Sequence, residues 1–161
     1  MFTVKLPIKA YLKKYLQRKC NVSGDNLIVS TNDQIGFGLY IVESLQKKRE
    51  FYLNHNQEEV NKFVTSLSDS ITLQIGCNVA NCSGMFIHPE KVYFINSFAE
   101  KAFRNEMFAV INGNTMYNPN LIIKNIIYDF CGIYDITEDD LQIDTIYKTY
   151  QRHKERYSYI K

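Results

Sequence analysis

The chain has 161 residues, of which 45% are hydrophobic and 22% charged, as is typical of one globular domain or two small ones. Its formal net charge is only +2, which excludes a strongly basic chain, and its hydrophobic content excludes disorder along the whole length. No run approaches the roughly 20 apolar residues of a membrane-spanning helix, and the N-terminus shows no secretory signal. We therefore expect a soluble, cytoplasmic protein without membrane contact, whose four cysteines are reduced.

The first twenty residues predict a strand followed by a basic helix. Phe2, Val4 and Leu6 alternate with more polar residues, which is the period of a half-buried strand. Pro7 suits the first turn of a helix, where its missing N–H costs little. The helix that follows has an apolar side and a basic outer face, formed by Lys9, Lys13, Lys14 and Arg18, and no acidic residue precedes Asp25.

The middle of the chain predicts a small sheet. Residues 27–29 are a strand candidate, residues 33–48 have a helical pattern, and residues 51–53 could form a strand. Residues 71–75 alternate cleanly between apolar and polar side chains. Residues 84–87 offer a partner strand across the intervening loop, so the pattern predicts a β-hairpin.

Three helical patterns fill the remainder. The first opens at Pro89-Glu90 and is expected to stop at Asn112-Gly113-Asn114. The second, over about 119–134, is apolar nearly all round, which predicts burial on several sides. After a break at Asp135-Ile136, the third is expected over about 138–157, opened by a sequence of capping-box type that begins at Thr137. The last two helices form a helix-turn-helix-like pair.

These elements predict the α+β class, with a small antiparallel sheet, covering helices and the C-terminal helix-turn-helix-like pair. We expect a single domain over residues 1–161. A subdivision near residue 115 would separate a mixed α/β portion, 1–115, from the C-terminal helical pair, 116–161.

The last predicted helix carries a row of cations. Lys148, Arg152 and Arg156 recur at i, i+4 and i+8, and Lys154 lies nearby. Such a row could follow a phosphate backbone. The alternative is the ordinary solvated face of an amphipathic helix. The basic face of the first helix would enlarge the positive surface if both helices lay on the same side, or it could serve solubility alone.

Metal-binding and catalytic patterns are weak. Cys77, Cys82 and His88 could supply three zinc ligands, with His55 or Cys20 as a fourth, but a second closely spaced cysteine pair is missing from the sequence. We expect neither a metal nor a cofactor. The histidines are scattered and no serine or cysteine lies in a nucleophile elbow, so we predict no catalytic residue.

Four segments of the sequence carry a resemblance to a known family: Ile126–Phe130, Tyr134–Asp140, Tyr147–Arg152 and the opening Val4–Lys9 that precedes a basic helix. Together they resemble small helix-turn-helix proteins carried by bacterial phages and mobile elements. The resemblance covers about a third of the chain and implies DNA binding in replication, transcription or packaging. It supplies no motif from which a base-contacting residue can be carried over.

The sequence therefore predicts a non-catalytic protein that binds nucleic acid through the basic faces of its first and last helices. Double-stranded DNA is the expected partner, with RNA as an alternative. The candidate contact residues are Lys9, Lys13, Lys14, Arg18, Lys148, Arg152, Lys154 and Arg156. The second hypothesis is a structural or protein-interaction module, such as a virion component or an adaptor, whose exposed aromatic residues support self-association. An unrecognised enzyme is the third.

Overall fold

The computed structural model describes residues 1–20, 26–29, 36–47 and 57–158. Its strands are β1 (Phe2–Ile8), β2 (Asn26–Ile28), β3 (Leu45–Gln46), β4 (Asp69–Ile75) and β5 (Phe86–Ile87). Its helices are α1 (Ala10–Lys19), α2 (Phe37–Ser44), α3 (Gln57–Ser66), α4 (Cys77–Ser83), α5 (Pro89–Tyr117), α6 (Ile123–Ile133) and α7 (Ile143–Ser158). The predicted α+β class is confirmed. No helix within these ranges is long and apolar enough to cross a membrane.

The chain divides into two compact units, Met1–Ala102 and Phe103–Lys161. The boundary falls within α5, whereas the sequence placed a subdivision near residue 115. The predicted strand over residues 51–53 and the predicted start of a helix at residues 33–35 lie outside the described residues.

The first unit is built on a three-stranded sheet with the order β1-β4-β2. β1 pairs antiparallel with β4 from Phe2↔Ile75 to Ile8↔Asp69, while β2 runs parallel to β4. The sheet is therefore mixed, where the sequence predicted antiparallel pairs only. The predicted hairpin is wrong, because the residues that follow β4 form α4 and β5 pairs instead with β3.

One face of this sheet forms the core of the first unit. Leu6 and Ile8 on β1 and the alternate residues Ile71, Leu73 and Ile75 on β4 are fully buried, as the two-residue period of a strand requires. The apolar side of α1 is equally buried, through Leu12, Tyr15 and Leu16.

The expected place of Pro7 in a helix is wrong. Pro7 belongs to β1, where an edge position accommodates its missing N–H, and α1 begins at Ala10.

Asn96 on α5 fixes the end of β1. Its side chain is 1% exposed, and its Nδ2 donates to the carbonyl oxygens of Pro7 at 3.0 Å and Val92 at 2.9 Å. The backbone N–H of Lys9 donates to Asn96 Oδ1 at 3.2 Å. The buried amide thus satisfies backbone groups on either side of Ile8, and burying it is tolerable because its own polar atoms are hydrogen-bonded.

Gly84 allows β3 and the loop before β5 to approach closely. Its φ is +93°, and a Cβ placed there would lie 2.1 Å from the carbonyl oxygen of Gln46. We expect Gly84→Ala to destabilise the fold by roughly 2–4 kcal/mol, since both the left-handed backbone and the overlap with backbone atoms oppose a side chain. Chemical denaturation would measure the change.

Gly76→Ala is the matched control for that substitution. The backbone φ of Gly76 is −62°, and a Cβ at this position would meet nothing within 4 Å. Gly76→Ala should therefore change the unfolding free energy of the protein by less than about 1 kcal/mol. A Gly84→Ala protein as stable as this control would contradict the close approach.

The second unit is a helical assembly. Phe103 and Met107 on α5, Ile127 and Phe130 on α6 and Ile146 on α7 are each at most 4% exposed. Phe103 and Phe130 pack with ring centroids 5.5 Å apart.

The prediction that α6 is buried on several sides is wrong, because Tyr128 and Ile133 on its outer side are 49% and 62% exposed. α5 also continues through Asn112–Asn114 to Tyr117.

The end of α6 has the hydrogen bonds of a Schellman motif. The N–H of Ile136 donates to the carbonyl of Cys131 at 3.0 Å, and that of Asp135 to the carbonyl of Gly132 at 3.2 Å. Asp135 takes a φ of +55°, which aspartate tolerates better than most residues. The predicted break at Asp135-Ile136 is therefore confirmed. Residues 138–140 form a turn, and α7 begins at Ile143 rather than at residue 138.

Candidate nucleic-acid interface

The inner side of α7 is anchored in the second unit. Ile143, Ile146 and Tyr150 are 3–4% exposed and recur at the spacing of one helix face. The Tyr150 hydroxyl donates to Asn112 Oδ1 at 2.7 Å, and its ring contacts Phe108 edge-on at 5.5 Å. These contacts fix which side of α7 points outward.

Three cations lie on the outer side of α7. Lys148, Arg152 and Arg156 are exposed. Their spacing of four residues places successive charges about 6 Å apart along the helix axis. Within the described part of the chain, none of the three forms an ion pair. Lys154 is also exposed, but it lies about 160° around the helix from Arg152 and does not belong to this row.

The acidic residue at the start of α7 is paired with α6. Lys124 Nζ lies 2.8 Å from Asp144 Oδ1, and it lies 5.6 Å from the centroid of the Tyr147 ring. The hydrogen bond and charge of Lys124 lower the pKa of Asp144, and Lys148 adds to this effect. Glu155 is the remaining acidic residue on the outer side of α7. The row of three cations therefore gives this side a net positive charge.

The basic face of α1 is partly neutralised by ion pairs within the first unit. Lys9 Nζ lies 2.6 Å from Glu100 Oε2, and Lys13 Nζ lies 2.9 Å from Asp69 Oδ1. The Lys13 side chain is only 13% exposed. Lys14 is half-buried and Arg18 is exposed. α1 belongs to the first unit and α7 to the second.

The acidic segment before α7 is ordered by its own hydrogen bonds. The backbone N–H and the hydroxyl of Thr137 each donate to Asp140 Oδ2 at 2.9 Å. The Tyr128 hydroxyl donates to Glu138 Oε1 at 2.6 Å, and this bond raises the pKa of Tyr128. The residues predicted to cap α7 thus stabilise the preceding turn.

The proposed zinc ligands do not form a cluster in the described part of the chain. Cys77 and Cys82 are exposed on α4, whereas His88 is buried. No group of three histidine, cysteine, aspartate or glutamate side chains converges among the described residues. His55 lies outside them.

The cysteines differ in accessibility, and this predicts their reactivity. Burial raises the pKa of the Cys131 thiol to about 11, while Cys77 and Cys82 are exposed. At about pH 8 we expect rapid labelling of Cys77 and Cys82 and slow labelling of Cys131, because the thiolate is the reactive form. Time-resolved thiol titration should return four thiols only after unfolding, and elemental analysis should find no stoichiometric zinc. Rapid labelling of Cys131 would contradict its burial.

An open depression in the first unit could accommodate a small molecule. Its volume is about 610 Å³, and its lining includes Glu43 on α2, Cys82 on α4 and Lys47, which follows β3. Gln46 also lines it, and its Oε1 has no hydrogen-bond partner among the residues that the structure describes. This mixture of side chains does not by itself indicate a reaction.

Sequence reasoning missed two features of the second unit. One is the pairing of Lys124 with Asp144, which depends on how α6 and α7 pack. The other is a set of exposed apolar residues at the end of α5 and the start of α6, namely Met116, Tyr117, Leu121 and Ile122. The sequence predicted that a helix begins there, at about residue 119, but α6 begins only at Ile123. The sequence pattern did not indicate that these apolar residues are exposed. No protein-family model, curated protein or solved structure matches the chain.

Proposed function

We propose that the protein binds nucleic acid, foremost double-stranded DNA, without catalysis. The observation that carries this proposal is the exposed row of Lys148, Arg152 and Arg156 on a helix whose opposite side is anchored in a core. A row of cations on an anchored helix can lie along a phosphate backbone and release the counterions condensed there.

The two basic helices support the proposal to different degrees. On α7, the three cations are available for phosphates. On α1, Lys9 and Lys13 would have to leave Glu100 and Asp69, and this exchange offsets much of what a phosphate contact contributes. Lys14 and Arg18 stay candidate contacts from the sequence pattern of α1, and both also interact with other groups of the protein. Lys154 is a weaker candidate because it points away from the row.

The proposal rests on phosphate contacts rather than on a motif. The nine residues 134–142 separate α6 from α7, whereas a helix-turn-helix usually has a turn of three or four. An origin in a phage or mobile element remains part of the proposal on the strength of the sequence resemblance. A cytoplasmic setting, in which the four free cysteines would stay reduced, is also part of the proposal.

The direct test is fluorescence anisotropy with a random-sequence DNA duplex over a series of salt concentrations. The logarithm of the affinity should fall linearly with the logarithm of salt concentration, with a slope of roughly −3 if three phosphates are contacted. Single-stranded DNA and an RNA hairpin of equal length would establish the preferred form. Absence of binding at about 50 mM salt, where electrostatic association is strong, would overturn the proposal.

A protein-interaction module is the second candidate function. Tyr117 is 96% exposed, Met116 84% and Ile122 63%, and neighbouring apolar residues of this kind are typical of contact sites. If nucleic acid does not bind, this segment becomes the leading functional site. Met116→Ser together with Ile122→Ser would then reduce partner binding without loss of stability, because neither side chain is buried.

A further inference from the structure

The outer edge of β1 carries backbone groups that pair with none of the described residues. β1 lies at one end of the three-stranded sheet, and among the strands that the structure describes only β4 is bonded to it. Which of its residues face outward follows from the hydrogen bonds of its neighbours, because consecutive residues of a strand direct their N–H and C=O groups to opposite edges.

Two independent observations assign these directions. The N–H of Val29 donates to the Gln74 carbonyl at 2.9 Å, so the backbone N–H and C=O of Gln74 point toward β2. Those of the adjacent Leu73 therefore point toward β1. Leu73 is opposite Val4, which therefore bonds β4. The second observation is that the Pro7 carbonyl accepts a hydrogen bond from Asn96, so it points away from β4. Both observations make Thr3, Lys5 and Pro7 the outward-facing residues.

The open part of the edge consists of Thr3 and Lys5. Asn96 occupies the outward carbonyl of Pro7, and proline has no N–H to donate. Among the described residues, no hydrogen bond reaches the outward N–H or C=O groups of Thr3 and Lys5. Beside them, on the face that forms the core further along, Phe2 is 40% exposed and Val4 is half-buried.

We propose that this edge pairs antiparallel with the same edge of a second copy of the chain. A twofold axis at Val4 places Thr3 opposite Lys5 of the other copy. Each such pair exchanges two hydrogen bonds, so that all four N–H and all four C=O groups of the two edges are satisfied. Phe2 of one copy then lies beside Leu6 of the other, and the apolar face of the sheet continues across the axis.

The edge is complementary to itself in charge and in register. In this pairing each Lys5 faces a threonine, which avoids two like charges directly opposite each other. A twofold axis at Lys5 would instead oppose the two lysines and set Thr3 against Pro7, which cannot donate. A shift by one residue would set outward-facing groups against groups already bonded to β4. The occupant that fits the edge is therefore a second copy, centred on Val4.

The first test is the mass in solution, measured by light scattering over a concentration series. We expect the parent protein to approach twice the chain mass of 18.9 kDa. Lys5→Pro removes an outward N–H while leaving the bonds to β4, so it should remain monomeric at concentrations where the parent is dimeric. Lys5→Gln keeps the N–H and should dimerise like the parent, and circular dichroism would verify that both variants fold.

The second test concerns the register and does not depend on a proline. In a chain with Cys20, Cys77 and Cys82 replaced by serine, Val4→Cys should form an intermolecular disulfide on mild oxidation. Residues directly opposite in a non-hydrogen-bonded pair have Cα atoms about 4.5 Å apart, within reach of a disulfide. Thr3→Cys is the control and should cross-link far less, because it faces residue 5 of the other copy. A parent that is monomeric at every concentration, or equal cross-linking at both positions, would overturn the proposal.

Discussion

Replacing Lys148, Arg152 and Arg156 together by glutamine is expected to weaken duplex binding by roughly a hundredfold or more at about 0.1 M salt. Each lost phosphate contact removes close to one counterion from the binding equilibrium. The slope of log affinity against log salt should therefore flatten by about two to three units. Stability should be nearly unchanged, because the three side chains are exposed and point away from the core. Anisotropy titrations at several salt concentrations would measure both quantities.

A matched control separates a local contact from a general effect of net charge. Lys62, Lys91 and Lys101 lie in the first unit and are exposed or half-exposed. Their replacement by glutamine changes the net charge from +2 to −1, as the α7 triple variant does. We expect only a small loss of affinity from this control. Equal losses in the two triple variants would mean that the row on α7 is not a binding site.

Replacing Phe103 by alanine is expected to cost about 3–5 kcal/mol of unfolding free energy. The side chain is 1% exposed, and its ring packs on Phe130, so truncation leaves a cavity that the surrounding helices can only partly close. Equilibrium denaturation in urea would measure the loss of stability. The chain divides into two compact units. If they unfold separately, only the transition of the second unit should shift.

Phe94→Ala is the appropriate control for this cavity. Phe94 lies on the same helix but is 50% exposed. Truncation there should change the unfolding free energy by less than about 1 kcal/mol, because little buried volume is lost. If both substitutions cost the same, the assignment of the buried side of α5 would be wrong.

The sequence predicted local features of the fold well and distant pairings poorly. The alternation in residues 71–75 correctly indicated β4, since that pattern depends only on which side chains are buried. It did not indicate the partner, and proximity along the chain favoured a hairpin. The observed partner β1 lies more than sixty residues away, and nothing in a two-residue period encodes such a distance.

For the candidate site, too, the sequence indicated local features but not contacts between distant residues, as the two basic faces show. The outer row of α7 follows from the four-residue spacing of Lys148, Arg152 and Arg156, and the structure places all three on one exposed side. The pairing of Lys9 with Glu100 joins residues that are ninety-one positions apart. A helix pattern shows that a lysine faces outward, but it does not show whether an acidic residue from another element meets it there.

Asn96 has a consequence for the behaviour of the chain at high concentration. By imitating a peptide group, its amide ends the open edge of β1 after Lys5 and leaves two outward-facing residues within that edge. Loss of this amide would free the Pro7 carbonyl and the Lys9 N–H, and the longer edge would accept strands in more than one register. Such promiscuous strand addition is the first step of β-aggregation. A single buried asparagine, remote from the basic row on α7, thereby limits the edge to short and specific pairings.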